Sequence, residues 1–238
     1  MFSKSAQYYD EIYSSMDKDY PAEAARLRKI IQRYKRTKGR SLLDVACGTG
    51  THAGYLRRYY QIEGLDLDSG ILAIAKKKNP KIRFHQGDMI DFDLGRQFDA
   101  VVCLFSSIGY VKTKPRLQKA IKTMARHLLP GGVLAIEPWF SPKQWNPGRT
   151  HVAQISKPNL KIVRVALSEQ RGKISPVRFH YLIATPKGIE HSFEIHQLGL
   201  FTHKDHMDAF KAAGLKVTHD PEGLDGRGLY IGQKRPAQ

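Results

Sequence analysis

Asp44, Asp66 and Asp88 are the residues of this chain best placed to do chemistry, because each stands at or near the end of a short apolar run. Asp44 lies within residues 42–46 and is followed by the spacing Gly48-x-Gly50-x-x-Ala53. Glycines without side chains let a ligand lie against the backbone. A helix starting beyond them offers free N–H groups and a positive dipole end. In form this is the dinucleotide fingerprint, but Asp44 argues for another ligand: a carboxylate repels a pyrophosphate and attracts a cationic amino group. Asp66 follows at the distance where an acidic residue meets ribose hydroxyls. Asp88, in Gly87-Asp88-Met89, suits an adenine amino group, with Met89 packing on the ring. Each alone has a plainer reading, as a linking turn or a helix cap. In this order, at the ends of successive strands, the three describe a site for a positively charged adenosyl compound.

A sheet must hold these carboxylates in a row. Residues 42–46, 61–65, 81–86, 98–105 and 133–137 read as strands, and 52–60, 70–78 and 114–129 as helices. An earlier helix begins near Pro21, with Ala24, Leu27, Ile30, Ile31 and Tyr34 on one face. Strands alternating with helices imply a mostly parallel sheet with right-handed crossovers. Pro130-Gly131-Gly132 is expected to stop the last of these helices before its strand. The rhythm then changes. Strands over 152–156, 160–169, 176–185 and 189–200 are separated by short turns such as Pro186-Lys187-Gly188, which suits antiparallel hairpins. Thr202 then caps a helix in which Asp205 bonds back to the cap. Residues 215–219 and 228–232 close the chain as two strands. The fold class expected is α/β: a Rossmann-like, seven-stranded, mostly parallel sheet with helices on both faces and an antiparallel final strand. Residues 1–238 form one domain, with 149–201 an antiparallel insert over the pocket mouth.

A length of 238 residues suffices for one such domain with a sizeable core. No run approaches the roughly 18 apolar residues of a membrane span. The start of the chain lacks the apolar stretch of a secretory signal, so a cytoplasmic setting without membrane contact is expected. Cys47 and Cys103 are the two cysteines and are expected to stay reduced. A formal net charge of +17 favours an anionic substrate or a polyanionic partner. Much of the excess lies in 26–40 and 76–83, where few aromatics interleave, so solvated faces are favoured over a nucleic-acid footprint. Histidines number ten but are scattered, and His203-x-x-His206 lacks a third ligand at evident spacing, so no metal site is expected.

Leu42-Leu43-Asp44-Val45-Ala46-Cys47-Gly48-Thr49-Gly50-Thr51-His52 resembles the first motif of the class I S-adenosylmethionine-dependent methyltransferases. With His85-Gln86-Gly87-Asp88-Met89, Leu104-Phe105-Ser106-Ser107-Ile108-Gly109-Tyr110, Glu137-Pro138-Trp139 and Gly226-Arg227-Gly228-Leu229-Tyr230, the chain is similar over nearly its whole length to sugar N,N-dimethyltransferases of the desosamine and mycaminose pathways. That resemblance implies S-adenosylmethionine as cofactor and a thymidine-diphosphate-linked 3-amino-3,6-dideoxyhexose as acceptor, methylated twice. It implies that Tyr9 and Tyr20 close over a cofactor held by Asp44, Ala46, Gly48, Gly50, Asp66, Leu67, Asp88, Met89 and Leu104. It further implies that Ser107, Tyr110, Trp139 and Arg227 line the acceptor pocket, with Arg227 on the diphosphate, and that the insert mediates a homodimer. Some members carry a histidine where Tyr110 stands and a tyrosine where Phe2 stands, and Pro176 replaces a basic residue.

The chemistry expected is in-line displacement on a methyl group, in which orientation and exclusion of water carry most of the rate. The amine must be neutral when it attacks. Tyr110 is the first candidate for holding its lone pair in line, and Tyr13 the second. An RNA or protein methyltransferase, suggested by the basic balance, is the alternative. Phe105-Ser106-Ser107 stands where many enzymes that methylate exocyclic base amines carry an Asn-Pro-Pro-Tyr-like tetrapeptide. A non-catalytic nucleic-acid-binding protein on the same fold is a third reading, and Asp44 disfavours a dehydrogenase.

Overall fold

A computed structural model describes residues 6–16 and 18–236, so Phe2 lies outside the described residues. Two helices come first. α1 (Tyr9–Ser14) is short, and α2 (Tyr20–Tyr34) starts at Asp19, whose side chain accepts from the Ala22 amide, with Pro21 in the first turn. The strands and helices β1 (Ser41–Val45), α3 (Thr51–Leu56), β2 (Gln61–Asp66), α4 (Ser69–Lys78), β3 (Arg83–Gln86), β4 (Phe98–Cys103), α5 (Lys114–Arg126) and β5 (Leu128–Ile136) follow. A second set of strands, β6 (Thr150–Lys157), β7 (Leu160–Ser168), β8 (Ile174–Thr185) and β9 (Gly188–Gly199), interrupts the alternation before α6 (His203–Ala212), β10 (Leu215–Asp220) and β11 (Leu229–Lys234).

The main sheet has seven strands in the order β10-β11-β5-β4-β1-β2-β3. β11 runs antiparallel to both neighbours, and the other pairings are parallel. The order reverses between β1 and β4, and a doubly wound sheet opens a crevice at the carboxyl ends of the strands at such a point. β4 is buried along its whole length because helices cover both faces. One core layer joins Phe98, Val101, Ile121 and Met124, and the other joins Leu27, Ile31, Leu42 and Val102.

Two boundaries differ most from the sequence reading. The helix after the glycines is only Thr51–Leu56, and β5 begins at Leu128, so Pro130, Gly131 and Gly132 lie inside a strand rather than before it. A register shift in the pairing of β5 with β4 between Phe98 and Ala100 explains the second: the irregularity absorbs the proline and the left-handed Gly131 at the sheet's amino edge.

The second sheet is fully antiparallel, in the order β6-β7-β8-β9. Side chains alternate across it. Arg164, Tyr181, Glu194 and His196 point inward and are buried, whereas Val152, Val165, Leu182 and Ile195 are exposed.

Candidate active site

The cofactor cradle starts where β1 ends. Ala46 (φ 57°), Gly48 (φ 56°) and Gly50 (φ 70°) are all left-handed, which turns the chain sharply between β1 and α3. At Gly48 a Cβ would meet nothing within 4 Å, so the positive φ and the open space in front of it explain the glycine. Gly50 is different. It packs on Asn79 and Phe84, its carbonyl accepts from the Asn79 amide, and it shapes the turn without lining either main cleft.

Asp44 is 2 % exposed, and its Oδ2 is buried without a hydrogen-bond partner among the described residues. Burial, with Asp66 nearby, pushes its carboxyl up to about 8. A buried acceptor of this kind fits a cationic amino group, which would supply both a donor and a neutralising charge. Asp66 accepts from the amides of Gly48 at 2.9 Å and Asp68 at 3.0 Å, which fixes its carboxylate at the edge of the cleft. Asp68 caps α4 through the amides of Gly70 and Ile71, leaving Asp66 to face the pocket. A cleft of about 810 Å³ runs from Ala46 and Gly48 past Asp66 and Leu67 to Asp88 and Met89. Tyr20, Asp44 and Leu104 line a smaller recess against the same glycine turn. These features fit S-adenosylmethionine, with Asp44 toward its charged end and Asp66 toward its ribose.

A second cleft, of about 1380 Å³, opens between the main sheet and the insert. It brings together Tyr13, Ser107, Tyr110, Trp139 and Arg227, the expected acceptor-side residues. Tyr9, Ser107 and Tyr110 line both large clefts, so the two meet there. Burial raises the phenols of Tyr9, Tyr13 and Tyr110 above their ordinary range, which keeps them neutral O–H groups at neutral pH. Trp139 donates to Ser175 Oγ at 2.8 Å and stands with Phe140 and Trp145 as an aromatic wall.

The turn after β4 carries strain. Phe105 (φ 51°) and Ser106 (φ 61°) are consecutive left-handed residues without a glycine. Glu137 compensates: its Oε2 accepts from the Phe105 amide at 2.6 Å while the residue is fully buried. Burial and Asp225 push that carboxyl up to about 8, against the pull of Arg227 and Lys18. Ser106 Oγ donates to the Pro138 carbonyl and accepts from Arg227 Nη1 at 3.0 Å. Arg227 is thereby fixed at the cleft wall, with Asp225 3.5 Å from its Nε.

Several residues of the site carry no signal in the sequence. Arg164, Phe179, Glu194 and His196 sit on alternating strands where inward and outward faces read alike. Asp10 accepts from Thr49 Oγ1 and Thr51 Oγ1, which ties α1 to the glycine turn, and no local pattern announces this long-range contact. His203 bonds Tyr230 Oη and His206 stacks on the same ring, an aromatic cluster on α6 and β11.

Comparison with known proteins is consistent with this geometry. Residues 42–132 match the methyltransferase domain family. The chain is 42 % identical over 229 residues to the dTDP-3-amino-3,6-dideoxy-alpha-D-glucopyranose N,N-dimethyltransferase of Streptomyces fradiae, covering 95 % of this chain and 89 % of that one. It superposes on the crystal structure of DesVI from Streptomyces venezuelae with a TM-score of 0.92 and 39 % identity, over 98 % of this chain and 99 % of that one. The S-adenosylmethionine-bound structure of CalS10, an amino pentose methyltransferase from Micromonospora echinaspora, matches with a TM-score of 0.87 and 33 % identity, over 95 % and 96 % of the two chains.

Proposed function

We propose, since this chain belongs to the family of S-adenosylmethionine-dependent sugar N,N-dimethyltransferases, that its acceptor is a thymidine-diphosphate-linked amino sugar and that it methylates that amine twice. It is an S-adenosylmethionine-dependent N-methyltransferase. The observation that carries the acceptor reading is the meeting of two clefts at Tyr9, Ser107 and Tyr110, with the buried Asp44 on one side and Arg227 on the other.

The cofactor, when bound, supplies a methyl group on a cationic sulfur. Asp44 holds the charged amino acid end, Asp66 the ribose, and Asp88 with Met89 the adenine. Tyr9 and Tyr13, on α1 above the clefts, shield the reacting atoms from water. Trp139 and its aromatic neighbours give the sugar ring a flat wall. Arg227 presents a planar fork to phosphate oxygens, and the net charge of +17 steers a nucleotide sugar toward it. Tyr110 accepts a hydrogen bond from the amine and sets its lone pair in line with the methyl carbon.

The chain is read as one domain, with the insert over the acceptor cleft. A homodimer through the insert is supported by a row of exposed residues across all four strands: Val152, Val165, His180 and Phe193 stand side by side. A cytosolic setting accords with Cys47 and Cys103, which are both free thiols. Incubation with labelled S-adenosylmethionine and either a thymidine-diphosphate 3-amino sugar or total RNA tests the acceptor reading. Label in the sugar, with two added methyls by mass, is the expected result; label in RNA alone overturns it.

A further inference from the structure

The Tyr110 hydroxyl lies 2.6 Å from Nδ1 of His196, and the other ring nitrogen, Nε2, lies 3.3 Å from Oε2 of Glu194. His196 and Glu194 are two residues apart on β9, so the pleat turns both side chains inward, and they are 1 % and 6 % exposed. Tyr181 of β8 donates to the same Glu194 oxygen at 3.5 Å. Tyr110 belongs to the turn Ser107–Val111 and lines both clefts.

The order of protons in this chain follows from its end. A carboxylate only accepts, so Nε2 of His196 carries the hydrogen that faces Glu194. Nδ1 is then a lone pair, and the Tyr110 O–H donates to it. That leaves the lone pairs of the Tyr110 oxygen free to accept from a group in the cleft. The same logic orients the imidazole of a Ser-His-Asp triad.

We propose that His196, oriented by Glu194, is the proton acceptor for the incoming ammonium group and acts through Tyr110. This rests on the N-methyltransferase reading above. An amino sugar reaches the site largely as an ammonium ion, which has no lone pair for attack. One N–H bond of that ion breaks as its proton passes to the Tyr110 oxygen, and the Tyr110 O–H proton passes to His196 Nδ1. The nitrogen keeps the electron pair and becomes neutral, Tyr110 remains a neutral phenol, and His196 becomes an imidazolium beside the Glu194 carboxylate. Charge and atoms balance with no further reactant. The imidazolium then returns one proton to water for each methyl added.

Tyr110 does not hold the proton itself, because burial keeps its phenol neutral. His196 is neutral at rest, since burial lowers its affinity for a proton while Glu194 restores part of it. Of the other groups acting on the ring, Arg164 on β7 opposes the imidazolium. His196 is therefore a positioning residue, and Tyr110 is the group that touches the substrate.

Three variants and one spectrum test this. His196→Gln, Glu194→Gln and Tyr110→Phe are first checked for folding by calorimetric binding of S-adenosylmethionine. Near neutral pH, His196→Gln is expected to lower kcat about 100-fold with the donor KM unchanged. The deficit should close as the pH rises past the amine's own pKa, where the acceptor arrives neutral. Tyr110→Phe should lose as much, and the His196→Gln, Tyr110→Phe pair no more than either alone. Additive losses, or a deficit equal at every pH, would overturn the proposal. The imidazole 15N spectrum of the acceptor-free protein decides independently: a neutral ring protonated on Nε2 supports the relay, and protonation on Nδ1 sinks it. Should the wild-type protein ignore nucleotide amino sugars, the acceptor reading falls while the tautomer still decides the relay.

Discussion

Asp10 and Thr49 stand 39 residues apart in the chain, and the threonine hydroxyl donates to the Asp10 carboxylate across 2.7 Å. Thr51 donates to the same oxygen at 2.9 Å, and Lys78 pairs with the other. The helix that carries Tyr9 and Tyr13 is thus latched onto the glycine turn beneath it. Replacing Asp10 by alanine should loosen this latch without touching the floor of the cleft. We expect about a tenfold faster release of S-adenosylmethionine and a similar loss of affinity, read by stopped-flow fluorescence. An unchanged off-rate would show that α1 is held by its apolar contacts alone.

Asp44 makes the ligand-free protein sensitive to pH in a defined direction. Its folded-state carboxyl is raised to about 8, far above its ordinary value of 3.8, so between these limits the native state binds more protons than the unfolded chain. Stability of the ligand-free protein should therefore fall as the pH rises across that window. Glu137 contributes with the same sign. Asp44→Asn should flatten part of this slope and raise Tm at pH 8 by about 4 °C or more. The same variant should bind S-adenosylmethionine at least about 10-fold more weakly, because an amide cannot neutralise a cationic group. Scanning calorimetry across pH, with and without the donor, checks both.

Wild-type binding of the donor should itself release protons below about pH 8, since Asp44 must ionise to receive a cation. Isothermal titration in two buffers of different ionisation enthalpy measures this. Proton release close to zero at neutral pH would mean that Asp44 is already ionised in the empty cleft.

Arg227 is positioned by Ser106 and Asp225 before any acceptor arrives. Arg227→Lys should raise the acceptor KM about 10-fold or more with a small change in kcat, because an ammonium lacks the planar fork. The loss should be smaller for an acceptor without the diphosphate, measured by initial rates on both. Equal losses would assign Arg227 to the turn around Phe105.

The exposed row on the insert predicts an assembly that one charge disrupts. Val165 is 44 % exposed at the centre of the face. Val165→Glu should convert a dimer to a monomer in light scattering at micromolar concentration while turnover stays near wild type, since Val165 points away from the cleft. A wild-type monomer under the same conditions would show that this face stays solvated.

Legibility from sequence followed the physics of each part. Asp44, Asp66 and Asp88 could be found because a parallel sheet places the ends of consecutive strands side by side, so order along the chain becomes order in space. Trp139 and Arg227 could be reached only through the family resemblance, and both line the second cleft. Pro130 to Gly132 misled because these residues mark a helix end in isolation, and only the register shift in β4 and β5 lets a strand run through them. Arg164, Glu194 and His196 stayed hidden for a different reason. An alternating strand shows which residues share a face, and only the packed structure shows which face covers the cleft.

The groups proposed to hold the donor all come from the first half of the chain, whereas around the second cleft Tyr13, Ser107 and Tyr110 of that half meet Trp139, Arg164, His196 and Arg227 of the other. The grip on the fuel is thus written in one stretch of the gene, whereas the grip on the cargo is shared by both. Rewriting the later stretch would therefore change only part of what grips the cargo. Exchange of residues 137–227 between relatives would keep Tyr110 constant while replacing the wall it faces.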